Sequence, residues 1–446
     1  MNSILFLFYN LAYFFFALVY LPHFLLRARQ EENVSRLIKE RLGWVKNSTS
    51  RGRTLWIHAV SVGEVLAIEP FIQKIREHCP EFFILLTTVT PTGQKIAKRL
   101  EGEGVQVAYF PFDWTFSVKS FIRRFQPSCL LLAETEVWPN LIWEMHLASI
   151  PVLILNGRLS EKSAKRYQMF SFFFQSLFQS LTAVFAQTES DANRFRFAGV
   201  CPEKVTVAGS MKFDSPYLSE ISENAKRFER KWKIRRDFFW IAGSTHPGED
   251  EILIRVFKEL KPSFPQLQLM IAPRHIERSE AILKRVEEAG LRGRLSTAEP
   301  EDYDVLILNE MGTLAQLYAL AEMVFMGGSL VPKGGQNPIE PASFECAILY
   351  GPHIFNFQNT YQFLISEKAA LMVSSDAELK EQIRQLLQNP AQRRDLGKNA
   401  FQVVQRFRGS TEKQFQLFRK LIQSTRERKD HAECSEKLFS PSGRGL

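Results

Sequence analysis

The sequence predicts an α/β protein made of two doubly wound, Rossmann-like domains in tandem, preceded by an apolar N-terminal helix. Short unbroken apolar runs alternate with helical stretches along most of the chain, which is typical of parallel strands covered by helices on both faces. At 446 residues the chain is long enough to form two hydrophobic cores. A polar stretch near its middle interrupts the alternation and indicates where one domain ends and the next begins.

The predicted strands fall into two groups. Those of the first half are residues 54–59, 82–88, 105–110, 129–133, 152–155, 183–186 and 205–208, and those of the second half are residues 239–242, 267–272, 305–308, 323–326 and 347–350. Between the groups, residues 214–236 are predicted to be a linker, so that the domains cover residues 31–213 and 237–427. The charged helical region of residues 376–427 is expected to pack back across both domains, and the polar residues 428–446 are predicted to be disordered.

The N-terminal residues predict a membrane anchor. Residues 4–26 are almost wholly apolar, with only Asn10 and His23 markedly polar, and about 20 apolar residues suffice to span a bilayer as a helix. Basic residues follow this stretch and none precedes it, so the positive-inside rule places the body of the protein in the cytoplasm. We therefore expect residues 1–30 to be a single-pass anchor; the alternative is a buried helix of a soluble fold.

Charge and composition narrow the class of partner. The net charge of +9 and the pI near 9.2 indicate an anionic surface or substrate, with nucleic acid and an anionic membrane face both possible. The five cysteines form no CxxC pair and are expected to be free thiols in a reducing compartment. The eight histidines form no HExxH motif and no i,i+4 pair, so no metal site is predicted.

The end of the first predicted strand carries the first candidate for catalysis. The chain continues there as Ser61-Val62-Gly63-Glu64, where Gly63 is expected to allow a sharp turn and Glu64 to begin the next helix. Glu64 is a candidate general base if partial burial raises its pKa towards neutrality. The alternative is a glutamate that only interacts favourably with the positive end of the helix dipole.

Polar residues follow other strands of the first half as well. Residues 87–93 are typical of a capped loop, whereas Glu134 and Glu136 follow a wholly apolar strand, where acids without a polar role are costly. A function and a capping role are equally open for these two acids. Arg158 follows the next strand and could bind an anionic group through two of its nitrogens. Because ligands bind beyond the carboxyl ends of strands in open parallel sheets, we expect a site in the cleft between the domains.

The second half contains the most informative stretch of the chain. A strand at residues 323–326 is followed by Gly327-Gly328-Ser329 and then by Asn337-Pro338-Ile339-Glu340. Asn337 suits an N-cap and Pro338 suits the first helical position. We therefore expect free backbone N–H groups and a helix N-terminus to bind a phosphate, with Glu340 accepting hydrogen bonds from neighbouring hydroxyls. A phosphate beside a polyol is the chemistry of a nucleotide-sugar donor.

Two further loops support an anion pocket in the second half. Ser244-Thr245-His246 follows the strand at residues 239–242, and Pro273-Arg274-His275 follows the strand at residues 267–272. Polar and cationic groups thus stand where the donor phosphate is expected.

A phenylalanine-rich segment stands out in the first half, from Phe170 to Leu181. It is predicted to be a core helix, and the alternative is a lipid-facing patch beside the anchor.

Taken in order, these motifs resemble the 3-deoxy-D-manno-octulosonic acid (Kdo) transferases of Gram-negative lipopolysaccharide synthesis. The resemblance covers nearly the whole chain and rests on residues 58–64, 87–93, 111–113, 134–140, 156–160, 209–214, 243–249, 273–275, 327–330 and 334–342. It implies a GT-B fold, two Rossmann-like domains facing a cleft, and an inverting, metal-independent glycosyltransferase without a cofactor. The implied donor is CMP-Kdo, and the implied acceptor is a lipid A precursor at the inner membrane.

The resemblance also implies roles for individual residues. The catalytic base falls on Glu64. Binding of the CMP donor falls on Pro273, Arg274, Gly327, Gly328, Ser329, Asn337 and Glu340. Binding of Kdo or the acceptor, or structural support of the site, falls on Glu134, Arg158, Lys212, Ser244 and Thr245. Nucleic acid is not an expected partner.

The chain departs from the family pattern in two places. The usual Asp-Thr-Met-Gly-Glu-Leu is Asn309-Glu310-Met311-Gly312-Thr313-Leu314 here, and Gln336 replaces a usual histidine, so no charge-based role is assigned to the first and no imidazole to the second. Two other functions also fit the motifs. One is a GT-B transferase that uses a UDP-sugar and a lipid-linked acceptor, and the other is a non-catalytic, membrane-attached module that binds anions.

Overall fold

The computed structural model describes residues 5–15, 19, 34–45, 53–214 and 223–423. The chain divides into two compact units. Unit 1 comprises Met1–Ser215 together with Arg408–Leu446, and unit 2 comprises Pro216–Phe407. The division at Ser215 lies close to the expected end of the first domain at residue 213.

Unit 1 is built on a sheet of seven parallel strands. These are β1 (Arg53–His58), β2 (Phe82–Thr88), β3 (Val105–Tyr109), β4 (Pro127–Ala133), β5 (Val152–Gly157), β6 (Ala183–Ala186) and β7 (Val205–Val207). Their order is β3-β2-β1-β4-β5-β6-β7, so the strand order reverses between β1 and β4. The helices of this unit are Val34–Arg41, Val62–His78, Pro91–Ala97, Thr115–Phe125, Pro139–Leu147, Glu161–Met169, Ser171–Ser180 and Glu189–Phe197.

The strands of unit 1 are apolar throughout because both faces of the sheet are covered. Trp56 points to one face and packs in a cluster with Leu130. Its neighbours Leu55 and Ile57 point to the other face and pack with Leu131. This alternation follows from the two-residue period of a strand, and it explains why each strand is a continuous hydrophobic run.

Unit 2 is built on a second sheet of seven parallel strands. These are β8 (Phe239–Thr245), β9 (Gln268–Pro273), β10 (Gly293–Leu295), β11 (Val305–Ile307), β12 (Met323–Met326), β13 (Ala347–Tyr350) and β14 (Ala370–Met372). Their order is β10-β11-β9-β8-β12-β13-β14, with the reversal between β8 and β12. The helices are Glu223–Lys231, Glu249–Leu260, Ser279–Glu288, Leu314–Leu317, Ile339–Ala342, Gln358–Ser366, Asp376–Gln388 and Pro390–Phe407.

Every strand predicted from the sequence is present, and two strands were not predicted. The unpredicted ones, β10 and β14, are three residues long and lie at the two edges of the second sheet. The predicted linker of residues 214–236 is also different in the structure. It contains the helix Glu223–Lys231, which buries Ala225 and is followed by the buried Trp232, so this part belongs to the core of unit 2.

The C-terminal helical region changes unit at Arg408. Residues 408–427 were assigned to the second domain, but residues 410–423 are helical and pack on unit 1. The reason is hydrophobic. The buried rings of Phe415 and Phe418 lie against Phe71, with ring centroids 6.1 and 5.7 Å apart. Within the described residues, this region therefore contributes helices to unit 2 before Arg408 and to unit 1 after it.

The predicted anchor is described only in part. Residues 5–15 and 19 are helical, and the remainder of residues 4–26 lies outside the described residues. One face of this helix packs on unit 1. Phe6 is buried, with its ring 5.2 Å from that of Trp143, and the Tyr9 hydroxyl donates to Asp113 at 2.8 Å. None of the helices in the described residues combines the length and the apolarity needed to cross a membrane.

The opposite face of residues 5–15 is apolar and exposed. It presents Leu7, Phe8, Leu11, Phe14 and Phe15 to solvent.

The phenylalanine-rich segment is also divided between two environments. Phe173, Leu177 and Phe178 are buried in the core of unit 1, as predicted for a core helix. Phe170 and Phe172 are exposed, as predicted for the lipid-facing alternative. The Phe173 ring lies 5.4 Å from that of Phe6, so the exposed phenylalanines stand beside the N-terminal helix.

Candidate active site

The candidate residues gather at the point in each sheet where the strand order reverses. In unit 1 Glu64 lies in the helix that follows β1, and Glu134 directly follows β4. In unit 2 Thr245 is the last residue of β8, and Gly327 directly follows β12. Open parallel sheets bind ligands beyond the carboxyl ends of their strands at such switch points. The topology therefore indicates that a ligand binds at the carboxyl ends of the strands, beside the point where the strand order of each sheet reverses.

Glu64 combines the two interpretations that the sequence left open. Its carboxylate accepts a hydrogen bond from the Val60 N–H at 2.8 Å and another from the Ser61 hydroxyl at 2.8 Å. This is a variant of the capping box at the start of helix Val62–His78. Gly63 lies inside the first turn, and a Cβ added there would meet nothing within 4 Å. Gly63 was expected to allow a sharp turn, but its position inside the helix has room for a side chain and does not require glycine.

The capping bonds do not prevent Glu64 from being a base. Burial raises its pKa, and the negative charge of Glu134 raises it further. The hydrogen bonds from Val60 and Ser61 and the charge of Lys212 act in the opposite direction, but the net shift is upward. Since 9% of its surface remains exposed, the carboxylate is largely desolvated and still accessible. A pKa raised towards neutrality is what a general base requires.

Glu64 belongs to a polar group of three acids and one lysine, the others being Glu134, Glu136 and Lys212. The Lys212 ammonium lies 2.6 Å from a carboxylate oxygen of Glu134. Burial, followed by the charges of Glu64 and Glu134, raises the pKa of Glu136 to about 7. Glu134 has a positive φ of 57°, an uncommon conformation for a residue other than glycine. Acids such as Glu64 and Glu136, whose pKa values are raised by burial and by neighbouring carboxylates, are typical of a catalytic site.

Arg158 is available for an anion. It follows β5 and is partly exposed, and within the described residues its guanidinium has no ion-pair partner. The loop of residues 87–93 is structural, as expected. The Thr90 hydroxyl caps helix Pro91–Ala97 by accepting from the Gly93 N–H at 3.1 Å.

The glycine-rich loop of unit 2 differs from the prediction in one decisive respect. Its amides are not free, because the buried carboxylate of Glu249 occupies them. One oxygen of Glu249 accepts from the N–H groups of Ser329 and Leu330, both at 3.0 Å, and the other accepts from Gly328 at 2.7 Å and His246 at 2.9 Å. The expectation that Gly327, Gly328 and Ser329 present free N–H groups to a donor phosphate is therefore wrong.

The same loop requires glycine for a steric reason. A Cβ on Gly327 would stand 2.3 Å from the Ser244 carbonyl oxygen, because the ends of β8 and β12 approach closely here. Ser329 is fully buried and uses its hydroxyl to accept from the Gly351 N–H at 2.7 Å. These residues shape the loop through contacts within the protein.

The helix after this loop is shorter than predicted. It spans Ile339–Ala342, a single turn, with Pro338 at its cap. Asn337 lies one position earlier than an N-cap, and its side-chain oxygen accepts from the Ile339 N–H at 3.2 Å. Its amide nitrogen donates to Glu340 at 3.3 Å. A single turn provides no substantial helix dipole, so the phosphate site at this N-terminus stays a prediction without that support.

A cluster of cationic side chains lies beside the glycine-rich loop. His246 is close enough to Gly328 that a Cβ there would stand 3.1 Å from its ring. After burial, the nearby charges of His275, Lys333, Arg278 and Arg274 lower the pKa of His246. Arg274, His275 and Lys333 are exposed and have no acidic partner within the described residues. Exposed basic side chains without acidic partners attract an anion. The anion pocket predicted at the loops of His246 and Arg274 therefore has Lys333 as an additional candidate group.

The remaining predicted residues of unit 2 have structural roles or supporting positions. Thr245 is fully buried and donates its hydroxyl to Asp250 at 2.7 Å, and Arg278 also bonds to that carboxylate. Ser244 has a positive φ of 56° at the end of β8. Pro273 ends β9. In the altered motif, Asn309 binds the turn after β10, where its amide donates to the Thr297 hydroxyl at 2.8 Å.

Comparisons with known proteins identify the family of this chain. A family model described as 3-deoxy-D-manno-octulosonic-acid transferase (kdotransferase) matches residues 36–215. The 3-deoxy-D-manno-octulosonic acid transferase of Haemophilus influenzae is 34% identical over 391 residues, covering 86% of this chain and 91% of the relative. The chain belongs to the 3-deoxy-D-manno-octulosonic acid transferase family. It is therefore a glycosyltransferase.

Other matches extend this family assignment. The 3-deoxy-D-manno-octulosonic acid transferase of Bordetella pertussis is 32% identical, covering 78% of this chain and 82% of the relative. Among solved structures, the UDP-GlcNAc 2-epimerase of Neisseria meningitidis bound to UDP-GlcNAc has a TM-score of 0.55 at 14% identity, covering 78% of this chain and 95% of that one. The epimerase shows the fold alone, and the two parallel α/β sheets of the Kdo transferase agree with the predicted GT-B type.

The sequence did not single out Glu249 for a specific role. It is visible as the first acid after the polar loop that follows β8. A hydrogen-bonding role for Glu249 could have been suspected, because a glycine-rich loop has many N–H groups and an acid must accept hydrogen bonds when buried. Which loop it serves depends on a contact across about 80 residues of chain, which no local pattern encodes.

Proposed function

We propose that this Kdo transferase moves Kdo from CMP-Kdo to a hydroxyl of a lipid A precursor, with inversion, and that Glu64 is the general base. The observation that carries the proposal is the position of Glu64 at the β1/β4 switch point with a raised pKa beside Glu134, Glu136 and Lys212. The relatives of Haemophilus influenzae and Bordetella pertussis are 3-deoxy-D-manno-octulosonic acid transferases, which supports Kdo as the transferred sugar.

The chemical step is a direct displacement. Glu64 removes the proton of the acceptor hydroxyl while that oxygen forms a bond to C2 of Kdo. The bond from C2 to the CMP phosphate oxygen breaks, and its electron pair leaves with CMP. Desolvation makes the Glu64 carboxylate a stronger base. Lys212 neutralises the neighbouring Glu134, so that Glu64 is able to ionise beside it.

The donor side of the reaction is assigned to unit 2. Negative charge grows on the departing phosphate, and the exposed cations Arg274, His275 and Lys333 are the groups that stabilise it. Glu340 and Asn337 accept and donate hydrogen bonds at the ribose hydroxyls. Arg158 of unit 1 binds the carboxylate of Kdo or a phosphate of the acceptor.

Membrane attachment in this proposal uses the apolar surface beside the N-terminal helix. The exposed faces of Phe8 and Leu11 and the exposed Phe172 lie on adjacent helices of unit 1. Helix Glu161–Met169 adds the exposed basic residues Lys162, Lys165 and Arg166. An apolar face bordered by basic residues binds the interface of an anionic membrane. The acceptor is a lipid, so this attachment brings the enzyme to its substrate.

Donor selectivity tests the proposal. The purified full chain is incubated with a lipid A precursor and either CMP-Kdo or UDP-sugars, and release of CMP or UDP is measured together with the mass of the lipid product. The proposal predicts release of CMP and a gain in lipid mass equal to whole Kdo residues. Release of UDP alone would favour the alternative GT-B transferase, and no release with either donor would favour the anion-binding module.

A further inference from the structure

The C-terminal helix of unit 1 is fastened to the loop that carries Lys212. That loop follows β7 and contains the short turn Met211–Asp214. The carboxylate of Asp214 accepts from the N–H groups of Gly409 at 2.7 Å and Thr411 at 2.6 Å. Asp214 thereby caps the first turn of the helix formed by residues 410–423, and it holds one end of the Lys212 loop against that helix.

The other end of the loop is held by a single buried amide. Gln414 is fully buried, and its side-chain nitrogen donates to the Gly209 carbonyl oxygen at 3.0 Å. Gly209 has a positive φ of 83°, and a Cβ there would stand 2.2 Å from the Ser410 hydroxyl oxygen. The loop and the helix therefore approach closely, without room for a larger residue.

Gln414 also reaches the end of β5. Its side-chain oxygen accepts from the Asn156 N–H at 2.9 Å. The side-chain oxygen of Asn156 in turn accepts from the Met211 N–H at 3.0 Å, one residue before Lys212. Asn156 is fully buried and has a positive φ of 54°, a conformation that needs support from its surroundings. The two polar atoms of Gln414 thus join β5, the helix and the loop.

We infer that Gln414 is a positioning residue that sets Lys212 against Glu134. The backbone is held on both sides of Lys212. Gln414 bonds to Gly209 on one side, and the start of its helix bonds to Asp214 on the other. Met211 is held by the side chain of Asn156, whose backbone N–H donates to Gln414. Lys212 then meets Glu134 at 2.6 Å. Through this connection a residue of the C-terminal helix controls the charge beside Glu64. The inference rests on the proposed role of Glu64 and its neighbours.

Loss of the Gln414 side-chain amide is expected to lower kcat through the displacement of Lys212. Gln414→Ala removes both hydrogen bonds, releases the loop and lets the Lys212 ammonium leave Glu134. The charge of Lys212 lowers the pKa of Glu64, so its displacement raises that pKa. We expect kcat to fall about tenfold, since a small misplacement at a reacting centre is costly. The KM for CMP-Kdo changes little because the donor groups are on unit 2.

The decisive experiment is a double-mutant cycle on the full chain. Gln414→Ala, Lys212→Ala and the double variant are compared in kcat with CMP-Kdo and the lipid acceptor. If Gln414 acts through Lys212, the double variant is no slower than Lys212→Ala. The inference would be overturned if the loss of kcat in the double variant equalled the product of the losses in the two single variants. A Lys212→Ala variant with unchanged kcat would instead contradict the proposed function of the acid group.

Two further variants keep the test informative if Gln414→Ala folds poorly. Gln414→Glu keeps the acceptor for Asn156, but its ionised form repels the Gly209 carbonyl, whereas its protonated form donates to it. Its activity relative to the unmodified chain is expected to rise as the pH falls, and a pH-independent ratio near one would overturn the inference. Gln416→Ala is the matched control, because Gln416 is exposed on the same helix and bonds to Glu412. It is expected to leave kcat unchanged.

Discussion

Replacement of Glu249 by glutamine tests whether the buried Glu249 carboxylate holds the glycine-rich loop closed. In the structure each carboxylate oxygen accepts from two backbone N–H groups. The glutamine amide keeps one oxygen and replaces the other with an NH₂ group, which cannot accept. Two buried N–H groups are then left unpaired, and each costs about 1–3 kcal/mol. The expected loss is about 2–6 kcal/mol in the free energy that keeps the loop closed.

Amide hydrogen exchange measures this loss directly at the loop. Every 1.4 kcal/mol corresponds to a factor of ten, so the amides of residues 328–330 are expected to exchange between about thirtyfold and ten-thousandfold faster in the variant. The matched control is Glu251→Gln. Glu251 pairs with Arg285 at 2.6 Å with both side chains more than 40% exposed, and such pairs contribute about 0–1 kcal/mol.

The result that would refute the reasoning is equally direct. If Glu249→Gln exchanges like the unmodified chain at residues 328–330 while it remains folded, the carboxylate does not hold the loop. If Glu251→Gln accelerates amide exchange at residues 328–330 as much as Glu249→Gln does, the effect does not depend on the hydrogen bonds of Glu249. Binding of CMP is expected to weaken in Glu249→Gln and to stay unchanged in Glu251→Gln.

Three other outcomes follow from the geometry. Lys212→Met raises the pKa of Glu64, which must be ionised to act, so the acidic limb of kcat against pH moves to higher pH. Glu134→Gln removes the negative charge that raises the pKa of Glu64, so that limb moves to lower pH. Gly327→Ala lowers the melting temperature because its Cβ meets the Ser244 oxygen at 2.3 Å, whereas Gly63→Ala raises it slightly. Phe172→Asp reduces flotation with anionic liposomes, while the equally exposed Met372→Asp in unit 2 does not.

Local sequence patterns were sufficient to predict the core strands and the polar residues at their carboxyl ends. The core strands are continuous apolar runs because both sheet faces are covered, and such runs are visible without long-range information. The edge strands β10 and β14 were missed because three residues are too few to establish a pattern. The loops after β1, β4, β8 and β12 were all identified, since polar residues directly after a buried strand stand out.

Contacts between distant residues could not be predicted. The pairing of Lys212 with Glu134 and the insertion of Glu249 into the Gly328–Leu330 amides join segments about 80 residues apart. The sequence therefore indicated a phosphate site where the protein supplies its own carboxylate. It also treated capping and catalysis as alternatives for Glu64, although one carboxylate accepts two capping bonds and still has a raised pKa.

The most direct test of the account is the turnover of Glu64→Gln with CMP-Kdo and a lipid A precursor. Loss of a general base is expected to lower kcat by about 10²–10⁴. Because the donor groups are assigned to unit 2, the dissociation constant for CMP-Kdo should stay within about twofold. Ser61→Ala, which removes one hydrogen bond to the same carboxylate, controls for disturbance of the helix start. Turnover of Glu64→Gln close to that of the unmodified chain would contradict the account.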